Sequence, residues 1–189
     1  SPNSLDPLNA YGCAKRQAEN LCALYYYKYK IEYNIARCFS FIGPYFLLNS
    51  HFAIGNFIQD GLNNVPIQIH SDGTSYRSYL FSDELAEFLW KIMTKGKIAE
   101  AYNVGSDQEI SIEELIKTVG DLMGYSGEYI EAPTYPGSVS RRCPDISKAK
   151  RLLDYNPKVD WKVGLESTVN WYKSYFSKNS SAREDGFKE

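Results

Sequence analysis

A chain of 189 residues, 43% hydrophobic, is long enough to bury a core of its own. Its formal net charge of -2 sets up no basic field for nucleic acid or an anionic membrane, and no run of about 18 apolar residues marks a membrane span. Cys13, Cys22, Cys38 and Cys143 form no C-x-x-C pair and no zinc-like spacing, which reads as reduced thiols in a cytoplasmic protein. The opening Ser1-Pro2-Asn3-Ser4 lacks the charged start and apolar run of a signal peptide and reads like the middle of a protein.

Ala, Leu and long polar residues predict a helix from about residue 8 to residue 30. On it Tyr11 and Lys15 lie four apart, on one face. An ammonium beside a phenol favours the phenolate, which makes a tyrosine a usable general base near neutral pH. The spacing alone is weak, because such pairs also decorate solvated helices. The Tyr25-Tyr26-Tyr27 cluster with Tyr29 covers either another helix or the chain's own core.

Residues 33–39 are apolar enough for a buried strand, and Gly43-Pro44 ends it. Ligands of open α/β sheets bind beyond the carboxyl ends of strands, so residues 39–45 are expected to line a site. A helix is expected over 51–62 with Phe52, Ile54, Phe57, Ile58 and Leu62 inward, then a short strand over 66–70 and a turn at Asp72-Gly73. Arg77 opens an apolar strand through Phe81, and Ser82 or Asp83 is placed to cap a helix over 84–95. A guanidinium at a strand end suits a phosphate, and a surface ion pair is the plainer use of it.

Asn103, at the end of the strand Ala101-Tyr102-Asn103-Val104, either faces a ligand or caps local backbone. Ser111 and Glu114 stand in capping-box spacing ahead of a helix whose Ile112, Leu115, Ile116, Val119 and Leu122 follow helical period. A strand at 128–131 and a loop over 133–137 lead to Arg141-Arg142, adjacent guanidiniums that stay buried only if an anion joins them. Helices over 147–153 and 163–176 close the ordered chain, the last with Leu165, Val169, Trp171 or Tyr172, and Phe176 packing inward. The polar stretch 177–189 is expected to fray.

Pro7-Leu8-Asn9-Ala10-Tyr11-Gly12-Cys13-Ala14-Lys15, Arg37-Cys38-Phe39-Ser40-Phe41-Ile42-Gly43-Pro44, Asp72-Gly73 followed by Arg77-Ser78-Tyr79-Leu80-Phe81, Tyr102-Asn103-Val104-Gly105 and Arg141-Arg142-Cys143-Pro144-Asp145 stand in one order along the chain. Together they resemble the extended short-chain dehydrogenase/reductase family of sugar-nucleotide epimerases, dehydratases and decarboxylases. The resemblance runs from about residue 5 to residue 176. It implies an α/β fold: the C-terminal part of a Rossmann-type doubly wound domain over 1–43, and a small mixed α/β substrate-binding domain over 44–176 with strands returning to the first sheet. It also implies NAD as cofactor, contacted by Tyr11, Lys15 and Phe39, and a nucleotide-diphosphate sugar as substrate. Ser40, Asn56, Gln68, His70, Arg77, Asn103, Arg141 and Arg142 are the implied substrate contacts, Arg142 favoured over Arg141 for the diphosphate.

Two departures from the family pattern stand out: Ser40 replaces an Asn and Ile42 replaces a common Tyr. No G-x-x-G-x-x-G turn occurs in the sequence, so the chain is expected to be the later part of a longer enzyme, inactive alone. The resemblance further implies a homodimer through the Tyr11 helix. No metal is expected, since the chain has only two histidines and no carboxylate constellation. Two other readings remain: a binding module for sugar-nucleotides without redox chemistry, and an inert fragment.

Overall fold

The computed structural model describes residues 7–46, 48, 52–70, 73–133 and 138–178. After a 3-10 turn at Pro7–Asn9, the elements are α1 (Ala10–Tyr29), β1 (Asn34–Cys38), β2 (Phe41–Ile42), α2 (Ala53–Asn63), β3 (Ile67–Ile69), β4 (Tyr76–Arg77) and β5 (Leu80–Phe81). They continue with α3 (Ser82–Lys95), β6 (Glu100–Val104), β7 (Ile110–Ser111), α4 (Ile112–Met123), β8 (Tyr129–Glu131), β9 (Arg141–Arg142), α5 (Ser147–Leu153) and α6 (Trp161–Lys178). The architecture is mixed α/β. The pairs β1–β6, β2–β5 and β3–β8 are parallel, and β4 lies between β7, antiparallel, and β9, parallel.

Residues at helical spacing on α2, α4 and α6 build one core. Leu115, Ile116 and Val119 of α4 share it with Ile54, Phe57 and Ile58 of α2 and with Leu165, Val169 and Tyr172 of α6, α4 packing against both other helices. A second core gathers Phe88 and Ile92 of α3, Leu80, Tyr102 and Val104 of the strands, and Ala149, Leu153 and Tyr155. Within it the Phe88 and Tyr155 rings stack, centroids 3.6 Å apart. Buried Glu84 ties α3 to the segment after α5, its Oε1 accepting from the backbone N–H groups of Lys158 and Val159.

Several expectations need correction. The strand expected from Arg77 to Phe81 is two short ones in different sheets, because Ser78 and Tyr79 carry the chain from one to the other. No side chain caps α3, whose N-cap position is held by Phe81, so Ser82 and Asp83 fall inside the helix. Phe52 is not inward but exposed, at the extended N-cap of α2, with its ring against Phe46. The capping box is half made: Ser111 Oγ accepts from Glu114 N at 3.0 Å, while the Glu114 carboxylate pairs with Lys162. Helix α6 begins at Trp161 and runs to Lys178, longer at both ends than the expected 163–176. The helix start at His51, the Asp72 turn, most of the loop 133–137 and the tail beyond 178 lie outside the described residues.

Among the described residues no helix is long and apolar enough to cross a membrane, and all four cysteines are free. Phe88→Ala should cost about 3–5 kcal/mol, since it opens a cavity under a stacked ring. On the same helix the exposed Trp90→Ala should change stability by less than about 0.5 kcal/mol; thermal melts of the two variants check the contrast.

Candidate functional site

Helix α1 starts directly after the 3-10 turn and presents Tyr11 to solvent, 76% exposed. One turn on, Lys15 Nζ lies 5.5 Å from the centre of the Tyr11 ring, so the side chains that share a helix face also meet in space. Burial raises the Cys38 thiol, at the carboxyl end of β1, above its ordinary range, and the Lys15 ammonium partly offsets that. Among the described residues no carboxylate pairs with Lys15. The next carboxylate along that face, Glu19, is taken by Arg37 of β1: Nε donates to Oε1 and Nη2 to Oε2, both at 2.7 Å.

Beyond β1 the chain is threaded between two strands. Phe39 N donates to Val104 O at 2.9 Å, and Leu80 N donates to Ser40 O at 3.0 Å. Phe39 and Ser40 are half-buried there. At the end of β6, a side chain on Gly105 would meet the Pro144 ring at 2.7 Å and Phe39 Cβ at 3.3 Å. Only a glycine lets the 143–146 segment pass so close. Asn103 Nδ2 donates to Asp145 O at 2.9 Å, so its amide secures backbone. Phe39, Asn103 and Pro144-Asp145 thus gather at the carboxyl end of the β1–β6 pair.

The arginines form the second centre. In the parallel β4–β9 ladder Arg77 is the register partner of Arg142. Burial first, and then the like charge of Arg142, hold the Arg77 guanidinium below its ordinary range, although it donates to Tyr76 O at 2.7 Å. Buried Tyr79 feels both: burial pushes its phenol up from 10.0 to about 12, and Arg77 and Arg142 pull the other way. Sequence reasoning missed Tyr79 as part of this centre; its signal was period-two spacing from Arg77. Arg141, the neighbour of Arg142, is instead exposed and pairs with Glu109. Among the described residues no carboxylate pairs with Arg77 or Arg142.

The remaining expected contacts sit on other elements. Gln68 is on β3, exposed, opposite Ile130 of β8. His70 Nδ1 lies 3.4 Å from Pro133 O, just past β3. Asn56 is half-buried on the first turn of α2. Among the described residues no group of three or more His, Cys, Asp or Glu could hold a metal ion. Chemically, the arrangement offers an exposed phenol beside an ammonium that no described carboxylate pairs with, and two guanidiniums in register, half-buried Arg77 and exposed Arg142.

Because the folded Tyr79 phenol keeps its proton to higher pH than the unfolded one, the stability it contributes is whole below pH 10 and is lost as pH rises towards about 12. Melting temperatures should therefore fall across that window, and fall less steeply in Tyr79→Phe.

Residues 1–105 match the family described as the NAD dependent epimerase/dehydratase family. UDP-glucuronic acid decarboxylase 1 of Xenopus tropicalis is 29% identical over 171 residues, covering 90% of this chain and 40% of the relative. The dTDP-D-glucose 4,6-dehydratase of Mus musculus is 30% identical over 176 residues, covering 90% and 49%. Among solved structures, UDP-glucuronic acid 4-epimerase from Bacillus cereus in complex with UDP-glucuronic acid and NAD superposes with a TM-score of 0.82 at 30% identity, covering 90% of this chain and 54% of that one. The likeness makes the fold Rossmann-type, and the chain spans about half the length of the relatives it matches.

Proposed function

Since the chain belongs to the NAD dependent epimerase/dehydratase family, we propose that it is the carboxyl-terminal portion of an enzyme that oxidises a nucleotide-diphosphate sugar at C4 before epimerisation, dehydration or decarboxylation. The observation that carries this reading is the exposed Tyr11 phenol beside an ammonium that no carboxylate neutralises among the described residues. In it Tyr11 Oη takes the proton from the sugar hydroxyl, and Lys15 favours the phenolate that does so. NAD, when bound, accepts the hydride that leaves the same sugar carbon.

The residues present fit that cofactor where they meet it. Lys15 keeps its N–H donors for a ribose hydroxyl, and half-buried Phe39 offers a ring at the adjacent strand end. Arg77 and Arg142 hold the diphosphate, whose charge relieves the repulsion between them and sets the sugar's orientation. Ser40, Asn56, Gln68, His70, Asn103 and Arg141 are assigned to the substrate's remaining groups. Of these, Asn103 and Arg141 would act while also engaged with Asp145 and Glu109. The reading also pairs α1 with α1 of a second copy, which accounts for a helix that buries none of its residues.

Titration of UDP-glucose or UDP-glucuronic acid into the chain should show binding that Arg77→Ala and Arg142→Ala each weaken about 10- to 100-fold, the worth of a charged hydrogen bond. Equal binding by both variants removes the arginines from the site. In protein that also carries the glycine-rich half, Tyr11→Phe should lower turnover about 10²–10⁴-fold with little change in sugar-nucleotide affinity. Unchanged turnover there overturns the acid–base assignment, while binding without turnover in every form favours a binding module.

A further inference from the structure

Lys15 stands one helical turn before Glu19, on the face of α1 that also carries Tyr11. At that spacing a lysine and a glutamate lie within ion-pair reach. Were they paired, the ammonium would be neutralised where the proposed chemistry needs it free. They are not paired in this structure, because Arg37, reaching from β1, occupies both carboxylate oxygens in a two-pronged fork. The fork also joins the helix to the strand end. Apart from it and the edge-on meeting of Tyr26 with Tyr33, α1 has little to hold it, since none of its side chains is buried.

We propose that Arg37 is a positioning residue whose fork withholds the Glu19 carboxylate from Lys15, keeping the ammonium free for the Tyr11 phenol and the cofactor's ribose. The inference rests on the acid–base reading of Tyr11 and Lys15 given above. The charged and titratable groups around the pair are Tyr11, Arg16 and Glu19 on α1 and Arg37 and Cys38 on β1. Arg37, by hydrogen bond and charge, and Arg16 more weakly, hold the Glu19 carboxyl below its ordinary range, so Glu19 is a full anion at neutral pH and would seek another cation if released.

The test follows the titration of Lys15 in this chain by NMR of isotopically labelled lysine side chains, with the Lys15 signal identified by its loss in Lys15→Arg. Arg37→Gln should raise the Lys15 midpoint by about 0.3 pH unit, the effect of one new pair at helical spacing. Glu19→Gln in the same background should return it to the starting value. An unmoved Lys15 in a folded Arg37→Gln variant overturns the proposal, as does a rise that Glu19→Gln fails to reverse. Should Arg37→Gln not fold, Arg37→Lys keeps the charge but loses the fork; a smaller rise is expected there, and none overturns the proposal. Turnover of Tyr11→Phe decides the acid–base reading and the Lys15 midpoint decides this one, so each can fail alone.

Discussion

Two guanidiniums placed opposite each other on neighbouring strands set the terms for the rest of the molecule. Like charges repel, more so where burial thins the water between them, and Arg77 shows both effects. The ladder that imposes this adjacency is only two residues long in each strand, so something else must keep β9 in register. Arg141 does so through Glu109, and Tyr76 N does so by donating to Ser140 O at 2.7 Å. One arginine of the pair is thereby spent on structure while the other is presented beside Arg77. Tyr79 lies buried next to both, a neutral neighbour that offers no charge to compensate them. Among the described residues no carboxylate pairs with either of them.

Helix α1 has the opposite problem. It carries the proposed proton-handling pair yet buries no side chain, and an isolated helix of 20 residues draws little stability from propensity alone. What fixes it is electrostatic and local: the Glu19–Arg37 fork, a left-handed cap at Lys30, and ring contacts among Tyr25, Tyr29, Tyr26 and Tyr33. Surface ion pairs are individually weak, but a two-pronged arginine fork is the geometry in which they are strongest. Its Leu21, Leu24, Tyr25 and Tyr27 are exposed.

What could be read from the residues alone was whatever depends on near neighbours. Helical periods on α4 and α6, the Ser111 cap and the meeting of Tyr11 with Lys15 are all set within a few residues. The misses come from long-range partners. Nothing near Arg141 in sequence says that Glu109, 32 residues earlier, would pair with it. Asn103 looked equally able to face a ligand or hold backbone, and its bond to Asp145 O comes from 42 residues away. The run from Arg77 to Phe81 reads as one strand because its apolar alternation is continuous, but β4 and β5 pair with different neighbours, which only the tertiary fold determines. Phe52 had the spacing of a core residue, yet the chain turns into α2 at that position and leaves its ring outside.

The two centres are tied together at the end of β6. Val104 O receives the Phe39 N–H, one residue past Cys38 and the reach of Lys15, while Gly105 lies against Pro144, two residues beyond Arg142. The segment after Arg142 and the segment after β1 therefore both pack on the side of Gly105 where a side chain would stand. A methyl group there would meet the Pro144 ring at 2.7 Å and force the two apart. Gly105 needs no unusual backbone angle for this. Its contribution is the absence of a side chain at the point where the end of β6, Phe39 and Pro144 come together.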